Sequence, residues 1–251
     1  PCADRLVSEG VKKVVICNVD PNPQVAGRGI AKLKAAGIEV ETGVLEKEGW
    51  ELNKRFFTYF TQKRPYIILK WAQTADGFLD AFDDKPIRIS TDITKALVHQ
   101  MRAEESAILV GTQTALKDNP SLHTRRWFGK NPLRIAIDKS LKIPPTHHLL
   151  DGSQATLIVN QEQNEAPYLA VDFGQNIVPQ LLDYLYKTKI QSIIIEGGQK
   201  TLQTFIEGNY FDEIQVEIGH YCCHQGTPSP SIPDGLRADI QHIGDGTFVH
   251  Y

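Results

Sequence analysis

The sequence predicts an α/β fold with a largely parallel sheet, arranged as two units in succession. Two observations support this. Apolar strand patterns alternate with helical patterns along the chain, and the pattern restarts after "KRP" at residues 63–65, where proline disfavours helix for the residue before it. The 251 residues are enough for one large domain or for one domain and part of another. In such folds ligands bind at the carboxyl ends of strands, so functional residues are expected in the loops that follow them.

The first unit, residues 1–62, alternates between short helices and short strands. Its predicted elements are a helix over 2–10, a strand over 12–18, a helix over 29–37 and a strand over 38–43. One longer amphipathic helix is predicted over 45–62, and its apolar side chains available for burial are Leu45, Trp50, Leu52, Phe56 and Phe57. Fewer than about 70 residues is small for a complete α/β domain, so this unit is expected to be the second half of one.

The second unit, residues 63–251, continues the alternation without an internal repeat. Its predicted strands cover 66–73, 106–111, 133–138, 155–160, 168–173, 191–196 and 211–221. Its predicted helices cover 91–104, 112–118, 176–189 and 199–209. Together these elements favour a parallel sheet with helices on its faces.

Composition and charge exclude several classes of protein. The net charge of −3 gives no general attraction to nucleic acid or to an anionic membrane. No apolar run approaches the roughly 20 residues that span a bilayer, and the N-terminus lacks the basic-then-apolar pattern of a signal peptide. We therefore expect a cytoplasmic protein with neither nucleic acid nor membrane as a partner.

The cysteines do not form a disulfide framework in this interpretation. The chain has four of them, Cys2, Cys17, Cys222 and Cys223, which are few and scattered for its length. His220 and His224 flank the adjacent pair, but their spacing is unlike that of a usual tetrahedral zinc site. A strand that places Cys222 and Cys223 on opposite faces is the favoured interpretation.

The stretch "SIIIEGGQKTLQTF" carries the most informative of the loops after strands. A buried apolar strand ends at Glu196, and Gly197 and Gly198 then lead into a helix whose first N–H groups are free to bind a phosphate. A simple connecting turn would use the same glycines. Glu196 favours a ligand contact, because buried carboxylates are rare unless they are paired or hydrogen-bonded.

Two further loops carry charged candidates. In "ILVGTQTALKDNPSLHTRR", Arg125 offers a fork suited to phosphate, although a solvated loop with surface arginines is the simpler explanation. In "LKWAQTADGFLDA", Lys70 lies inside an apolar strand and is a candidate for polarising a substrate oxygen, with an edge strand as the alternative. The Asp76–Gly77 pair is mainly typical of a turn. Rossmann, P-loop and nucleophile-elbow motifs are absent from the sequence.

Taken in order, these segments resemble the bifunctional deaminase/reductase family of riboflavin biosynthesis. "PCADRLVSEGVKKVV", "DPNPQVAGRGIAKLKAAGI" and "LNKRF" resemble the end of its zinc-dependent pyrimidine deaminase domain, which is cytidine-deaminase-like. "LKWAQTADG", "MRAEESAILVGTQTALKDNPSLHTR", "PLRIAID" and "IIIEGG" resemble its reductase domain, which has a dihydrofolate-reductase-like fold. The resemblance implies that residues 1–62 are the C-terminal portion of the deaminase domain and that residues 63–251 are the reductase domain.

The implied reaction is the NADPH-dependent reduction of 5-amino-6-(5-phosphoribosylamino)uracil to its ribitylamino product, in which the ribose ring opens and C1′ accepts a hydride. Residues matched to substrate contacts are Arg102, Leu122, Arg125 and Glu196. Residues matched to cofactor contacts are Gln73, Arg88, Thr114, Asp118, Gly198, Gln199, Lys200 and Thr201. Lys70, Asp76 and Glu196 are the catalytic candidates, with a scaffold role as the alternative for Lys70 and Asp76.

The chain departs from the family pattern in both halves. It has "TADG" where the family often has "SLDG", and Arg88 replaces a stacking tryptophan. The family's zinc site takes one histidine and two cysteines, of which the chain retains only the second cysteine, Cys2. One thiolate does not hold a catalytic zinc, so deaminase activity is expected only with upstream residues that precede Pro1 in the family.

Two other functions stay open at this stage. One is a dihydrofolate-reductase-like enzyme acting on another pterin or pyrimidine, for which a 5-phosphate would not be required. The other is an NADPH-binding module without turnover. The resemblance also implies a homo-oligomer that associates through the reductase domain.

Overall fold

The computed structural model describes residues 2–81, 89–244 and 246–251, which divide into two compact units, residues 1–64 and 65–251. Within those ranges, no helix combines the length and the apolar character that a membrane crossing requires.

The first unit contains a two-stranded parallel sheet and four helices among its described residues. In chain order its elements are α1 (Cys2–Ser8), β1 (Lys13–Ile16), α2 (Arg28–Ala35), β2 (Glu39–Thr42), α3 (Glu46–Leu52) and α4 (Lys54–Gln62). Val14 pairs with Val40 in the register of β1 and β2. The Lys13 ammonium reinforces this pairing, because it lies 2.9 Å from a carboxylate oxygen of Glu39 and 2.8 Å from one of Glu41.

The prediction of one continuous helix over residues 45–62 is wrong. Asn53 interrupts it with φ −119° and ψ 23°, and its side-chain amide donates to the Gly49 carbonyl at 3.0 Å. Asparagine commonly makes such local bonds to the backbone, which compete with helical ones. Leu45 and Leu52, expected to be available for burial, are 63% and 84% exposed, whereas Phe57 is buried and stacks on Trp50.

The second unit carries the larger sheet. Its strands are β3 (Tyr66–Gln73), β4 (Phe78–Asp80), β5 (Ala107–Gly111), β6 (Leu133–Ile137), β7 (Thr156–Asn160), β8 (Tyr168–Ala170), β9 (Ser192–Ile195), β10 (Glu213–Ile218), β11 (Thr227–Pro228), β12 (Asp239–Ile243) and β13 (Gly246–His250). Its helices are α5 (Asp92–Glu104), α6 (Thr112–Asp118), α7 (Ile177–Lys187) and α8 (Gln199–Glu207), with a 3₁₀ turn at His148–Leu150.

Nine described strands form one sheet in the order β12-β13-β10-β3-β9-β5-β6-β7-β8. The strands from β10 to β8 in this order are all parallel, and β13 and β12 add an antiparallel edge. The predicted α/β class with a largely parallel sheet is therefore confirmed. The carboxyl ends of β3, β9 and β5 meet at one edge, where the loops expected to carry function begin.

The predicted strand over residues 211–221 ends early, at Ile218. The Gly219 N–H still donates to the Gln73 carbonyl, but the chain then leaves the sheet, and the Tyr221 carbonyl accepts the Ala75 N–H at 2.9 Å. Cys222 and Cys223 therefore lie in a loop, and the prediction that a strand places them on opposite faces is wrong.

Apolar side chains cover both faces of the sheet. On one face Leu69, Leu109 and Ile195 pack against α7 and α8, whose buried residues include Leu181 and Phe205. The opposite face carries a second cluster that includes Ile108, Ile194, Ala115 and Leu122. Strands buried on both faces explain why the sequence shows continuous apolar runs rather than alternation.

Arg134 is a charged side chain inside this unit, with 1% of its surface exposed. Its guanidinium donates to the carbonyls of His148 at 2.6 Å and Gln154 at 2.9 Å, to the Thr156 hydroxyl at 3.0 Å and to an Asp151 carboxylate oxygen at 3.3 Å. The hydrogen bonds of Ser153 and Arg134 lower the pKa of the Asp151 carboxyl. Arg134 thereby ties β6 to the segment that precedes β7.

Candidate functional site

A charged cluster lies at the carboxyl ends of the central strands, and it consists of Lys70, Glu196 and Arg102. The register pairs Leu69 on β3 with Ile195 on β9, so the next residues along each strand, Lys70 and Glu196, are neighbours. The Lys70 ammonium lies 3.5 Å from one Glu196 carboxylate oxygen, and the Arg102 guanidinium of α5 donates to the other at 2.6 Å. All three side chains are 9–13% exposed.

The two cations keep Glu196 ionised. Burial on its own would raise the pKa of this carboxyl, but the charges of Arg102 and Lys70 and their hydrogen bonds outweigh it, and the pKa lies below its ordinary value. Two cations around one carboxylate leave the cluster with a net positive charge. A buried positive site of this kind attracts an anionic or oxygen-rich group.

The loop between α6 and β6 reaches the same cluster. The other terminal nitrogen of Arg102 donates a hydrogen bond to the His123 carbonyl at 3.4 Å. The preceding residue, Leu122, is buried and has a φ of +54°. The Thr124 N–H and hydroxyl both donate to the Asn131 side chain, at 2.9 and 2.8 Å, which fixes the loop. Arg125 follows and is exposed, and its guanidinium donates to the Ser121 hydroxyl at 3.2 Å.

The N-termini of α6 and α8 lie at glycines, of which Gly111 ends β5 and Gly197 and Gly198 follow β9. The Gly111 N–H donates to the Gly197 carbonyl at 3.2 Å, and α8 begins after Gly198 without a side-chain cap. Gly198 has φ +78°, and a Cβ there would lie 3.3 Å from the Thr114 hydroxyl oxygen and 3.5 Å from that of Thr201. Free N–H groups, close backbone approach and two hydroxyls suit a phosphate oxygen.

The remaining described residues predicted to contact a cofactor lie on α8, at the end of β3 and at the end of α6. Gln199 and Lys200 open α8, with Lys200 exposed. Gln73 ends β3, and its side-chain oxygen accepts the Trp71 indole N–H at 2.8 Å. Asp118 is exposed at the end of α6, next to Lys117, which pairs with Asp80 of β4. Arg88 lies outside the described residues, so its predicted contact stays a prediction.

Asp76 has its carboxylate engaged by the scaffold. One oxygen accepts the Thr74 hydroxyl at 2.6 Å and the Cys223 N–H at 3.2 Å, and the other accepts the His224 N–H at 2.8 Å. These bonds tie the turn between β3 and β4 to the loop after β10. The alternative named for this residue, a scaffold role, therefore matches its contacts, and its catalytic role stays a prediction.

Replacing Asp76 with asparagine is expected to lower the thermal midpoint of the second unit and to flatten its dependence on acid. The Thr74 hydroxyl and the N–H groups of His224 and Cys223 lower the pKa of Asp76 against the effect of desolvation. The stability that the carboxylate contributes is therefore present above its ordinary pKa of 3.8 and is lost as pH falls through the lower folded value. Melting curves of both proteins between about pH 3 and about pH 7 test this. Parallel curves would contradict it.

His99 is a residue of this site that the sequence did not indicate. It lies on α5, is 4% exposed, and stands three residues before Arg102, which places both side chains on one face of the helix. The i,i+3 spacing from a predicted ligand-binding arginine was the available signal. A lone histidine in an amphipathic helix is more often a packing residue, and nothing else in the sequence distinguishes it.

The first unit does not fit a zinc ion. Cys2 is exposed at the start of α1, and over residues 2–81, 89–244 and 246–251 no three His, Cys, Asp or Glu side chains are grouped as ligands to a metal. A catalytic zinc takes three protein ligands. Cys2 alone does not meet that requirement.

The comparisons with known proteins point to one family. Residues 65–221 match the family model described as the RibD C-terminal domain. The riboflavin biosynthesis protein RibD of Aquifex aeolicus is 38% identical over the whole chain, which covers 75% of that relative. The RibD of Actinobacillus pleuropneumoniae is 36% identical over 98% of the chain, which covers 66% of that relative.

A solved structure from Thermotoga maritima extends the likeness to three dimensions. It is described as a diaminohydroxyphosphoribosylaminopyrimidine deaminase/5-amino-6-(5-phosphoribosylamino)uracil reductase. It superposes with a TM-score of 0.89 at 31% identity, over all of this chain and 74% of its own length. The match of the family model to most of the second unit and the identity to curated relatives together show that the chain belongs to the RibD family of riboflavin biosynthesis proteins.

Proposed function

We propose that residues 65–251 catalyse the NADPH-dependent reduction of 5-amino-6-(5-phosphoribosylamino)uracil to 5-amino-6-(5-phosphoribitylamino)uracil. The observation that carries this proposal is the cluster of Lys70, Glu196 and Arg102 beside the uncapped start of α8. The charged cluster suits a polar, anionic substrate, and the adjacent start of α8 suits the phosphates of a dinucleotide. The description of the Thermotoga maritima relative supports the same reaction.

The substrate end of the proposed site is cationic. Arg125, exposed on the loop, is suited to the ribose 5-phosphate, since a guanidinium binds a phosphate through two parallel hydrogen bonds. Arg102, held between Glu196 and the His123 carbonyl, offers a second donor set. Glu196 is suited to ribose hydroxyls or pyrimidine N–H groups, because an ionised carboxylate accepts and does not donate.

The cofactor end of the proposed site lies at Gly111, Gly197 and Gly198. The α8 N–H groups and the hydroxyls of Thr114 and Thr201 would hold the pyrophosphate. NADPH, when bound, supplies the hydride that C1′ of the ribose accepts. The protein must hold the donor and acceptor carbons about 3–3.5 Å apart and deliver one proton to the oxygen released when the ribose ring opens. Lys70 is the proposed source, since its ammonium is buried and held by Glu196.

For residues 1–62 we propose the C-terminal portion of a zinc deaminase domain, in which Cys2 would be one of three ligands completed by residues upstream. The matching relatives are longer than this chain, which is consistent with such a segment. We also propose a cytoplasmic location and a homo-oligomer built through the reductase domain.

The decisive experiment measures NADPH oxidation by the purified chain. Oxidation is expected only when the phosphoribosylaminouracil is present, with one ribitylamino product formed for each NADPH consumed. A folded protein that binds NADPH but gives no turnover with fresh substrate would overturn the proposal and favour a binding module. Equal activity on substrate with and without its 5-phosphate, unchanged by Arg125→Ala, would favour a reductase of another pterin or pyrimidine.

Gly198→Ala is expected to weaken NADPH binding about tenfold, because the new Cβ fills the space beside Thr114 where the backbone would approach a phosphate. The matched control is Gly152→Ala. Gly152 has a similar φ of +72°, but a Cβ there meets nothing within 4 Å. Both positions have a positive φ, so both variants should lose some stability, and the ψ of 119° at Gly198 adds backbone strain there beyond that of a left-handed residue. Calorimetric titration with NADPH distinguishes them, and equal affinities would contradict the placement of the pyrophosphate.

A further inference from the structure

His99 is buried in the second unit with its hydrogen-bonding capacity only partly used. Its Nδ1 atom is shielded from solvent and has no hydrogen-bond partner. Arg102, one turn later on α5, has its Nε atom in the same state. One atom is a possible acceptor and the other is an obligate donor, and both lie on the same face of one helix. Buried polar groups are almost always paired, so two complementary unpaired atoms on side chains one helical turn apart call for an explanation.

His99 and Arg102 also converge on the backbone of His123. Arg102 donates to the His123 carbonyl at 3.4 Å, and the His99 imidazole forms a hydrogen bond with the same residue's backbone. His123 is two residues before Arg125, the proposed phosphate ligand. The pair on α5 therefore holds the loop that presents Arg125.

Burial and the neighbouring arginines keep His99 neutral. Burial, followed by the charges of Arg102 and Arg125, lowers the pKa of the imidazole to about 4, against the opposing effects of Glu196 and of the hydrogen bond with His123. A neutral imidazole that donates through one nitrogen has a bare lone pair on the other. Nδ1 is thus an acceptor at neutral pH.

We propose that His99 is a positioning residue for Arg102. When an anionic substrate binds, the Arg102 guanidinium turns from Glu196 towards it, and the Arg102 Nε–H then donates a hydrogen bond to His99 Nδ1. The inference rests on the proposed reductase function. Turning would pair both unpaired atoms and would free one Glu196 oxygen for the substrate's own donors. In this proposal His99 acts on the substrate only through Arg102.

The first test does not depend on turnover. Nitrogen NMR of histidine-labelled protein is expected to show His99 with an unprotonated Nδ1 and a protonated Nε2 from about pH 8 down to about pH 5.5. A His99 that titrates near its ordinary pKa of 6.5, or that carries its proton on Nδ1, would overturn the proposal.

The second test separates the two ring nitrogens by substitution. Asparagine places an oxygen near Nδ1, glutamine places an amide near Nε2, and leucine replaces neither. His99→Gln and His99→Leu are expected to raise KM for the aminouracil about tenfold, while their kcat and NADPH affinity stay within about threefold of wild type. For His99→Asn, KM, kcat and NADPH affinity are all expected to stay within about threefold of wild type. His242→Gln is the surface control.

The outcomes of the second test are distinct from failure of the proposed function. Wild-type protein without turnover would overturn the reductase, and the NMR experiment would then still decide the state of His99. Active wild-type protein with unchanged KM in His99→Gln and His99→Leu would overturn the positioning role. A variant that lowers the thermal midpoint with no change in KM would show that His99 only packs.

Discussion

Glu196→Gln is expected to lower kcat/KM for the aminouracil by about 10²–10³-fold, the largest catalytic effect of any single change in the second unit. Glutamine keeps the shape of the side chain but removes the charge that Lys70 and Arg102 share. Both cations would then be buried without a carboxylate, which typically costs about 3–5 kcal/mol of stability. Steady-state kinetics and urea denaturation on the same preparations measure the two effects.

Glu207→Gln, at the exposed end of α8, is the matched control and should be silent in both measurements. Lys70→Met, alone and combined with Glu196→Gln, completes a double-mutant cycle. The double variant is expected to lose less activity and less stability than the two single variants lose in sum, because each partner is already impaired without the other. Activity of Glu196→Gln within about threefold of wild type would contradict the assignment of Glu196.

Glu196 also gives the folded protein a defined sensitivity to acid. Its pKa is lower in the folded protein than its ordinary value of 4.5. Its contribution to stability is therefore complete above that value and is lost as pH falls through the folded pKa. The wild-type protein should lose stability more steeply than Glu196→Gln in this acid range.

Arg134→Met should lower the free energy of unfolding by about 3–5 kcal/mol, because the substitution removes the donor that the His148 and Gln154 carbonyls and the Thr156 hydroxyl share. Arg134 lies among the scaffold residues rather than in the charged cluster, so NADPH oxidation at a temperature where the variant stays folded should be close to wild type. Urea denaturation followed by circular dichroism checks the loss of stability. Arg237→Met, at an exposed position, is the control. A loss below about 1 kcal/mol would contradict this account of Arg134.

Much of the fold followed from periodicity, and the misses have physical causes. Buried parallel strands such as β3, β5 and β9 are continuous apolar runs flanked by charge or glycine, and the sequence located all of them. The edge strand β12 is mostly exposed, so its residues carry no apolar pattern to detect. The break at Asn53 depends on one local side-chain bond that competes with the helix.

The sequence predicted most of the residues of the site but not which of them contact each other. Lys70 and Glu196 stood out because a charge within an apolar run needs a partner. That each is the other's partner depends on β9 lying next to β3, although more than a hundred residues separate them in the chain. Asp76 illustrates the converse, since its oxygens are engaged by the backbone of a loop that the sequence assigned to a strand.

The order of strands places this chemistry where the sheet is least able to open. β3, β9 and β5 lie in the interior, with β10, β13 and β12 on one side and β6, β7 and β8 on the other. Local unfolding starts at edges and termini and reaches fully bonded central strands only near the global free energy of unfolding. Fraying at β8 or β12 would therefore leave Lys70 and Glu196 in register, so their alignment should persist for as long as the domain itself stays folded.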